Sequence, residues 1–286
     1  MGDDNGEGWQ TTVMDHCVNS MAIFGLRWMA HAYGPVGTIG EERSFLGSPE
    51  LPGYPHHSTW PHFPGWNLRL TAHLDAVERR LPDSNVLVVF PVETLYSLAG
   101  PPADAAATEI FRLVLALLDR RFQVDVHSST LVCSGRWEKG AFVLGDSRYE
   151  AVIFPFPDVV SPETLALMRK GRKRIRCMKG VPRRLVKGKP CALPGCASAD
   201  AIAPVVEWLQ SVCGVLPLEA PAGSWVTVTP LKHGAMVSLC PSRHGAAYSG
   251  RLQYRGAAIV LPESNGLTRV FFPGDGEPEI RSSQPA

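Results

Sequence analysis

No stretch of this 286-residue sequence approaches the roughly 20 consecutive apolar residues that a membrane-spanning helix needs. A soluble protein without membrane contact is the expectation. The first ten residues, MGDDNGEGWQ, carry acids where a secretory signal has a positive start followed by an apolar stretch. Gly6 stands where N-myristoylation requires Ser or Thr. Both absences point to a cytoplasmic chain with no lipid anchor. Phosphate-cradling signatures are missing as well. No G-x-G-x-x-G follows a strand to open a helix, and no G-x-x-x-x-G-K-[ST] occurs, so no nucleotide cofactor is implied. Nothing repeats at a solenoid period.

The cysteines lack the grouping that would give them a framework role. Cys17, Cys133, Cys177, Cys191, Cys196, Cys213 and Cys240 are odd in number and scattered through a large chain, unlike a disulfide scaffold. A structural zinc site brings ligands in close pairs; Cys191 and Cys196 have four residues between them and no partner pair. Free thiols in a reducing compartment, with no metal and no cofactor, are the resulting expectation.

What is present is enough for about two domains with a real core: 286 residues, 45% of them hydrophobic. Three strand-like apolar runs, NVLVVF (85–90), FQVDV (122–126) and AVIFPF (151–156), alternate with helical patterns. Parallel neighbours need a crossover rather than a hairpin, so this order predicts a parallel sheet with helices on its faces. One helix carries Ile110, Val114, Leu117 and Leu118 on one face between about Asp104 and Arg121. Ser161-Pro162-Glu163 supplies an N-cap, a proline at the first helical position and an acid in the first turn of another. Arg174 to Met178 reads as a fourth strand, and Asp200 to Cys213 as a helix burying Ile202, Val205, Val206, Leu209 and Val212.

The flanks differ in texture. Residues 12–33 read as a short helix, Val13 to Ser20, and then a buried strand from Met21 or Leu26 toward His31. From Gly34 to Gly65 the chain is crowded with Pro, Gly and aromatic residues, a long loop of the kind that is often functional. A helix then places Trp66, Leu70, Leu74, Val77 and Leu81 on one stripe, with Pro82 as its stop. Beyond Gly223, short runs split by turn residues such as His233-Gly234 and Asn265-Gly266 predict an antiparallel β module over about 222–275.

Several patches together resemble a known family: VNSMAIFGLRWMAHAYGP (18–35), the loop ending WPHFPGWN, NVLVVFPVETLY (85–96) and YEAVIFPFPDVVSPETLALM (149–168). They look like the C-terminal part of large bacterial glycoside hydrolases of the rhamnosidase-like and family A β-galactosidase-like group. In those enzymes a catalytic (β/α)8 barrel is followed by a flavodoxin-like domain related to class I glutamine amidotransferases, and then by β-rich modules. The resemblance implies a fold of three parts. Residues 1–84 form a partial barrel-like segment with the long loop and a helix. Residues 85–218 form a flavodoxin-like parallel sheet with flanking helices, and 219–286 a small antiparallel β module with a frayed tail. It also implies that the N-terminal stretch corresponds to the last barrel strand, with His31, Ala32 and Tyr33 at the end where barrel enzymes hold their sites. A barrel takes about 250 residues, and most of one is absent here. The implied function is therefore that of a C-terminal portion of a carbohydrate-active, O-glycoside-hydrolysing enzyme, catalytically incomplete by itself.

By the same resemblance, His31 and Tyr33 are candidate substrate contacts; packing at a strand end is the alternative. Trp60 offers a flat indole face for a sugar, whereas Trp66 heads the apolar stripe of its helix. His56, His57 and His62 share that loop without a carboxylate at helical spacing, and read as loop histidines rather than metal ligands. Glycosidic hydrolysis needs two carboxylates. Glu93 lies at the carboxyl end of the first parallel strand, where open α/β sheets place ligands, and is the catalytic candidate; capping the following turn is the competing role. Glu41 and Glu42 are its candidate companions. A glutaminase needs a nucleophilic Cys on a strand-to-helix turn. The chain has Pro155-Phe156-Pro157 after the third strand, so glutaminase activity is not expected.

Eleven Lys or Arg residues and no acid lie between Arg169 and Lys189, so the remaining 17 basic residues face 27 acids. This run supports a different reading, a non-enzymatic α/β protein that meets an acidic partner or nucleic acid through that surface. No nucleic-acid module or aromatic platform accompanies it. Carbohydrate is thus the expected partner, together with further copies of the chain in a homo-oligomer.

Overall fold

The computed structural model describes residues 11–25, 63–213 and 218–282, which fall into two compact units, Asp83–Leu216 and Met1–Pro82 with Pro217–Ala286. The first is built on a five-stranded parallel sheet: β1 (Val86–Phe90), β2 (Val124–Ser128), β6 (Ala151–Pro155), β8 (Ile175–Met178) and β10 (Ser198–Ala199), in the spatial order β10-β8-β6-β1-β2. Three of the four crossovers carry helix, α3 (Val92–Leu98) and α4 (Gly100–Asp119) after β1, α5 (Ser129–Val132) after β2 and α6 (Pro162–Gly171) after β6; the link from β8 to β10 has none, and α7 (Ile202–Val212) follows β10. The predicted parallel pairing of the three apolar runs is what the registers show, Val86 lying beside both Val124 and Ala151.

Two-residue alternation divides the core. Val86, Val88, Ala151 and Ile153 point to the face covered by Ile110, Leu113 and Leu117 of α4 and by Val205 and Leu209 of α7. Leu87, Val89, Val152 and Phe154 point to the other, packing with Val132, Phe142, Leu165 and Met168. Strands buried on both faces must be apolar at every position, which is why these runs read as continuous rather than alternating. Ser161 caps α6 as expected, its hydroxyl accepting from the Thr164 N–H at 3.0 Å.

Three expectations need correction. The second strand is Val124–Ser128 rather than 122–126; Phe122 and Gln123 are buried ahead of it, and Phe122 belongs to the α4 face of the core. A three-stranded antiparallel meander, β3 (Arg136–Glu138), β4 (Ala141–Leu144) and β5 (Ser147–Tyr149), lies between β2 and β6 and was not anticipated. Its turns use Gly140 and Gly145 at positive φ, and Phe142 and Tyr149 are fully buried beneath it. Trp137 of β3 packs against the end of α6, donating from its indole to the Leu167 carbonyl at 3.0 Å. A Cβ on Gly171 would sit 1.9 Å from that ring.

The third correction concerns the second unit. Its N-terminal helix α1 runs Thr11–Ile23, so Met21 to Ile23 are helical, not the start of a strand; the rest of that strand prediction lies outside the described residues. Val18 and Ala22 are buried four apart, as are Asn19 and Ile23, which is helical spacing. Helix α2 is Phe63–Ala76 and stops before Pro82, because Glu78 and Arg79 turn into the left-handed region and Arg79 N–H closes on the Leu74 carbonyl at 2.7 Å. Trp66, Leu70, Leu74 and Val77 are buried as predicted, whereas Leu81 is 48% exposed.

The remainder of that unit is antiparallel. β12 (Ser224–Leu231), β13 (Gly234–Pro241), β16 (Thr268–Pro273) and β17 (Glu279–Ser282) form one sheet, and β11 (Leu218–Glu219), β14 (Tyr248–Tyr254) and β15 (Ala257–Ser264) another. The β14–β15 hairpin turns on Arg255 and Gly256, both at positive φ, the geometry that lets a two-residue turn follow the strand twist. Helix α1 belongs to this unit. Ile23 packs with Cys240 and Leu267, and Thr227 donates to the Ile23 carbonyl at 2.9 Å.

Candidate functional site at the carboxyl edge of the parallel sheet

Pro91 ends β1 and Val92 begins α3, so Glu93 falls in the first turn of that helix, at the carboxyl edge of the sheet. The next residue fixes the turn. Thr94 is 2% exposed, and its hydroxyl both accepts from Val159 N–H at 3.0 Å and donates to Val159 O at 3.1 Å, tying α3 to the short strand β7 (Val159–Val160). The Glu93 carboxylate accepts a short hydrogen bond from the Ser129 hydroxyl, and that same hydroxyl accepts from Val92 N–H at 3.3 Å. Ser129 is itself buried at the head of α5. Glu93 therefore joins the first turns of two helices, with its bonding directed into the protein. Asp158, the next carboxylate along this edge, is occupied by Arg184 at 2.7 Å.

Around Ser129 the edge is lined with small polar groups. The Cys133 thiol donates to Ser129 O at 3.3 Å and lies 3.2 Å from the Thr164 hydroxyl. At the turn after β6, where an amidotransferase would hold its nucleophile, Phe156 sits at φ 47° with its N–H on the Met178 carbonyl at 2.7 Å. The backbone bend is present; the side chain is a hydrocarbon. Among the described residues no three His, Cys, Asp or Glu side chains converge as metal ligands.

Sequence reasoning missed one polar cluster beneath the meander. The Tyr149 phenol donates to Asp125 at 2.7 Å and lies 3.3 Å from the His127 ring, while the Ser84 hydroxyl donates to the other Asp125 oxygen at 2.8 Å. Burial, then the Asp125 carboxylate, pushes the phenol well above its ordinary pKa, which keeps it a donor at any working pH. These residues are 41 positions apart at the extremes of the Ser84–Asp125 bond, and no local motif announces them.

The basic run flanks β8 on both sides. Arg169, Lys170, Arg172, Lys173 and Arg174 precede β8, and Lys179, Arg183, Arg184, Lys187 and Lys189 follow it, while the Arg169 guanidinium donates to the Ala192 carbonyl at 3.4 Å, so the segment after the strand returns to the one before it. Several are spent internally: Arg174 donates to the Val212 carbonyl at 2.6 Å, and Arg176 lies 5.3 Å over the Trp208 ring. His31, Tyr33, Trp60, Glu41, Glu42, His56, His57 and His62 lie outside the described residues.

Among solved structures, a catalytic mutant of Gan42B, a GH42 β-galactosidase from G. stearothermophilus, superposes with a TM-score of 0.51 over 87% of this chain and 47% of its own, at 12% identity. The chain has a glycoside-hydrolase-like fold. A rhamnosidase from Novosphingobium sp. PP1Y matches 98% of this chain and 30% of its own (TM-score 0.49, 13% identity), and a β-galactosidase from Bacillus circulans sp. alkalophilus matches 80% and 45% (0.47, 13%). The chain thus spans less than half the length of each. No family model matches the sequence, and no curated protein matches it. No helix among the described residues is long and apolar enough to cross a membrane.

Proposed function

We propose that this chain is the C-terminal portion of a carbohydrate-active, glycoside-hydrolase-like enzyme, in which the parallel-sheet unit is a flavodoxin-like scaffold and the antiparallel strands an accessory module. The observation that carries this reading is the likeness to a GH42 β-galactosidase along 87% of the chain, which reaches only 47% of that enzyme. The sheet order supports the flavodoxin-like part of it: numbered along the chain, the five parallel strands run 2-1-3-4-5. The amidotransferase kinship is supported by the bend at Phe156, and the phenyl group there supplies no nucleophile. His31, Tyr33 and Trp60 are the residues proposed to touch carbohydrate. The chain is proposed to work in the cytoplasm as a homo-oligomer.

Glu93 is proposed as a structural tie rather than a general acid. Its carboxylate is taken by a buried hydroxyl, and the neighbouring acid is paired with arginine. Two free carboxyl groups at about 5 Å, or at about 6.5–9.5 Å, are the minimum for hydrolysis by the usual mechanisms. The test is an assay of the purified chain against aryl β-galactosides and aryl α-rhamnosides. Turnover at background is expected for the wild type and for Glu93→Gln alike. Turnover in the wild type that disappears in Glu93→Gln would overturn both the structural role and the incomplete-enzyme reading.

A further inference from the structure

Cys177 and Cys196 are 19 residues apart in sequence, yet their sulfur atoms are 3.3 Å apart. Cys177 sits on β8 with no exposure, its side chain on the face of the sheet that packs with Leu165 and Met168. Cys196 is half-buried in the loop that leads into β10, and the Cys177 N–H donates to the Ala197 carbonyl at 3.1 Å, which holds the two segments side by side. A disulfide needs sulfurs at about 2.05 Å. The remaining movement falls on Cys196, whose neighbour Gly195 is at φ 76° with open space around its Cβ position.

We propose that Cys196 and Cys177 form a reactive dithiol that exchanges with low-molecular-weight disulfides, Cys196 accepting the thiol adduct and Cys177 resolving it into an intramolecular disulfide. Accessibility sets the order of events. Of the two, Cys177 is fully buried and Cys196 half-buried, so a solvent-borne disulfide meets Cys196 first, and the Cys196 sulfur lies within reach of Cys177. Their protonation agrees with this order. The hydrogen bond from Cys177 and the nearby Arg176 lower the Cys196 thiol, whereas that hydrogen bond and burial hold the proton on Cys177. Burial pushes Cys213 up to about 12 and also raises Cys17, Cys191 and Cys240. A lower thiol pKa at a reachable position is the condition for selective exchange.

With glutathione disulfide as the oxidant, the chemistry balances in two steps. The Cys196 thiolate attacks one sulfur of glutathione disulfide, forming a mixed disulfide and expelling one glutathione, which takes the Cys196 proton. Cys177 sulfur then attacks Cys196 sulfur, breaking the mixed disulfide and expelling the second glutathione, which takes the Cys177 proton. Two cysteine thiols are oxidised and one glutathione disulfide is reduced to two thiols. The product closes the loop 178–195, which carries Lys179, Arg183, Arg184, Lys187 and Lys189, onto the sheet.

The full-length chain, reduced and then incubated with glutathione disulfide, is expected to fall from seven titratable thiols to five, with no retained glutathione in the intact mass and a Cys177–Cys196 cross-link in the peptide map. The Cys177→Ser variant is expected to stop one step earlier, losing one of six thiols and keeping one glutathionyl group on Cys196. The wild-type map decides by itself if that variant does not fold. The proposal fails if Cys196 stays free while other cysteines react, if the cross-link joins any other pair, or if all seven thiols survive.

Discussion

His73 shows how one buried side chain sets a property of the whole unit. It lies on α2 with 3% exposure, bonded to the backbone at Ala22 of α1, and its Nδ1 has no partner among the described residues. Desolvation first, and the Arg269 guanidinium second, hold its pKa down at about 4 against 6.5 unfolded. Between those values the unfolded chain binds the proton and the folded chain does not. Stability from this residue is therefore complete above pH 6.5 and is lost as pH falls toward 4, by roughly 3 kcal/mol. Urea titrations at pH 7 and pH 4.5 are expected to show a smaller loss in His73→Leu than in the wild type; equal losses would show that His73 is not the group responsible. Nothing in LTAHLDA marks this histidine as buried, because burial depends on α1, some 50 residues upstream. The same holds at the sheet edge. The position of Glu93 after a strand was legible, but its partner Ser129 is 36 residues away and belongs to tertiary structure alone.

At the scale of elements, legibility followed length and burial. The central strands β1 and β6 could be read because burial on two faces forces continuous apolar runs, whereas the edge strand β2, only partly buried, is misplaced by two residues and the two-residue β10 leaves no pattern. The meander could not be read, since strands of three or four residues are too short to show a period, although its glycines at 135, 140 and 145 are punctuation of the right kind. In α1, the helix is legible from Val13 to Ser20, and only its last turn, Met21 to Ile23, reads as strand because apolar residues continue past it. The meander is also where a single methyl group decides an interface. Gly171→Ala places its Cβ inside the Trp137 indole, so either the ring leaves the end of α6 or the helix shifts. A destabilisation of about 1–3 kcal/mol is expected, as for other overpacked sites. Indole emission moving to the red on substitution would report the ring's displacement, and an unchanged spectrum with unchanged stability would contradict the packing described.

At the scale of the molecule, the division into two compact units predicts that they answer separately to mutation. Leu117 is fully buried on the α4 face of the parallel sheet, and Leu117→Ala is expected to cost about 2–5 kcal/mol. In calorimetry the transition of that unit should move down while a second transition, from the unit holding α1, α2 and the antiparallel strands, stays in place. A single transition moving as a whole would mean that the units unfold together. The basic run on both sides of β8 has a related consequence. A formal charge of +1 describes a nearly neutral particle, but eleven cations lie between Arg169 and Lys189 with no acid among them, while 17 cations face 27 acids in the rest of the chain. Such a particle is held in ionic contacts by its orientation rather than by its sum. With the Arg169 guanidinium on the Ala192 carbonyl, the start of the run meets the segment just past its end, although 23 positions separate the two in sequence.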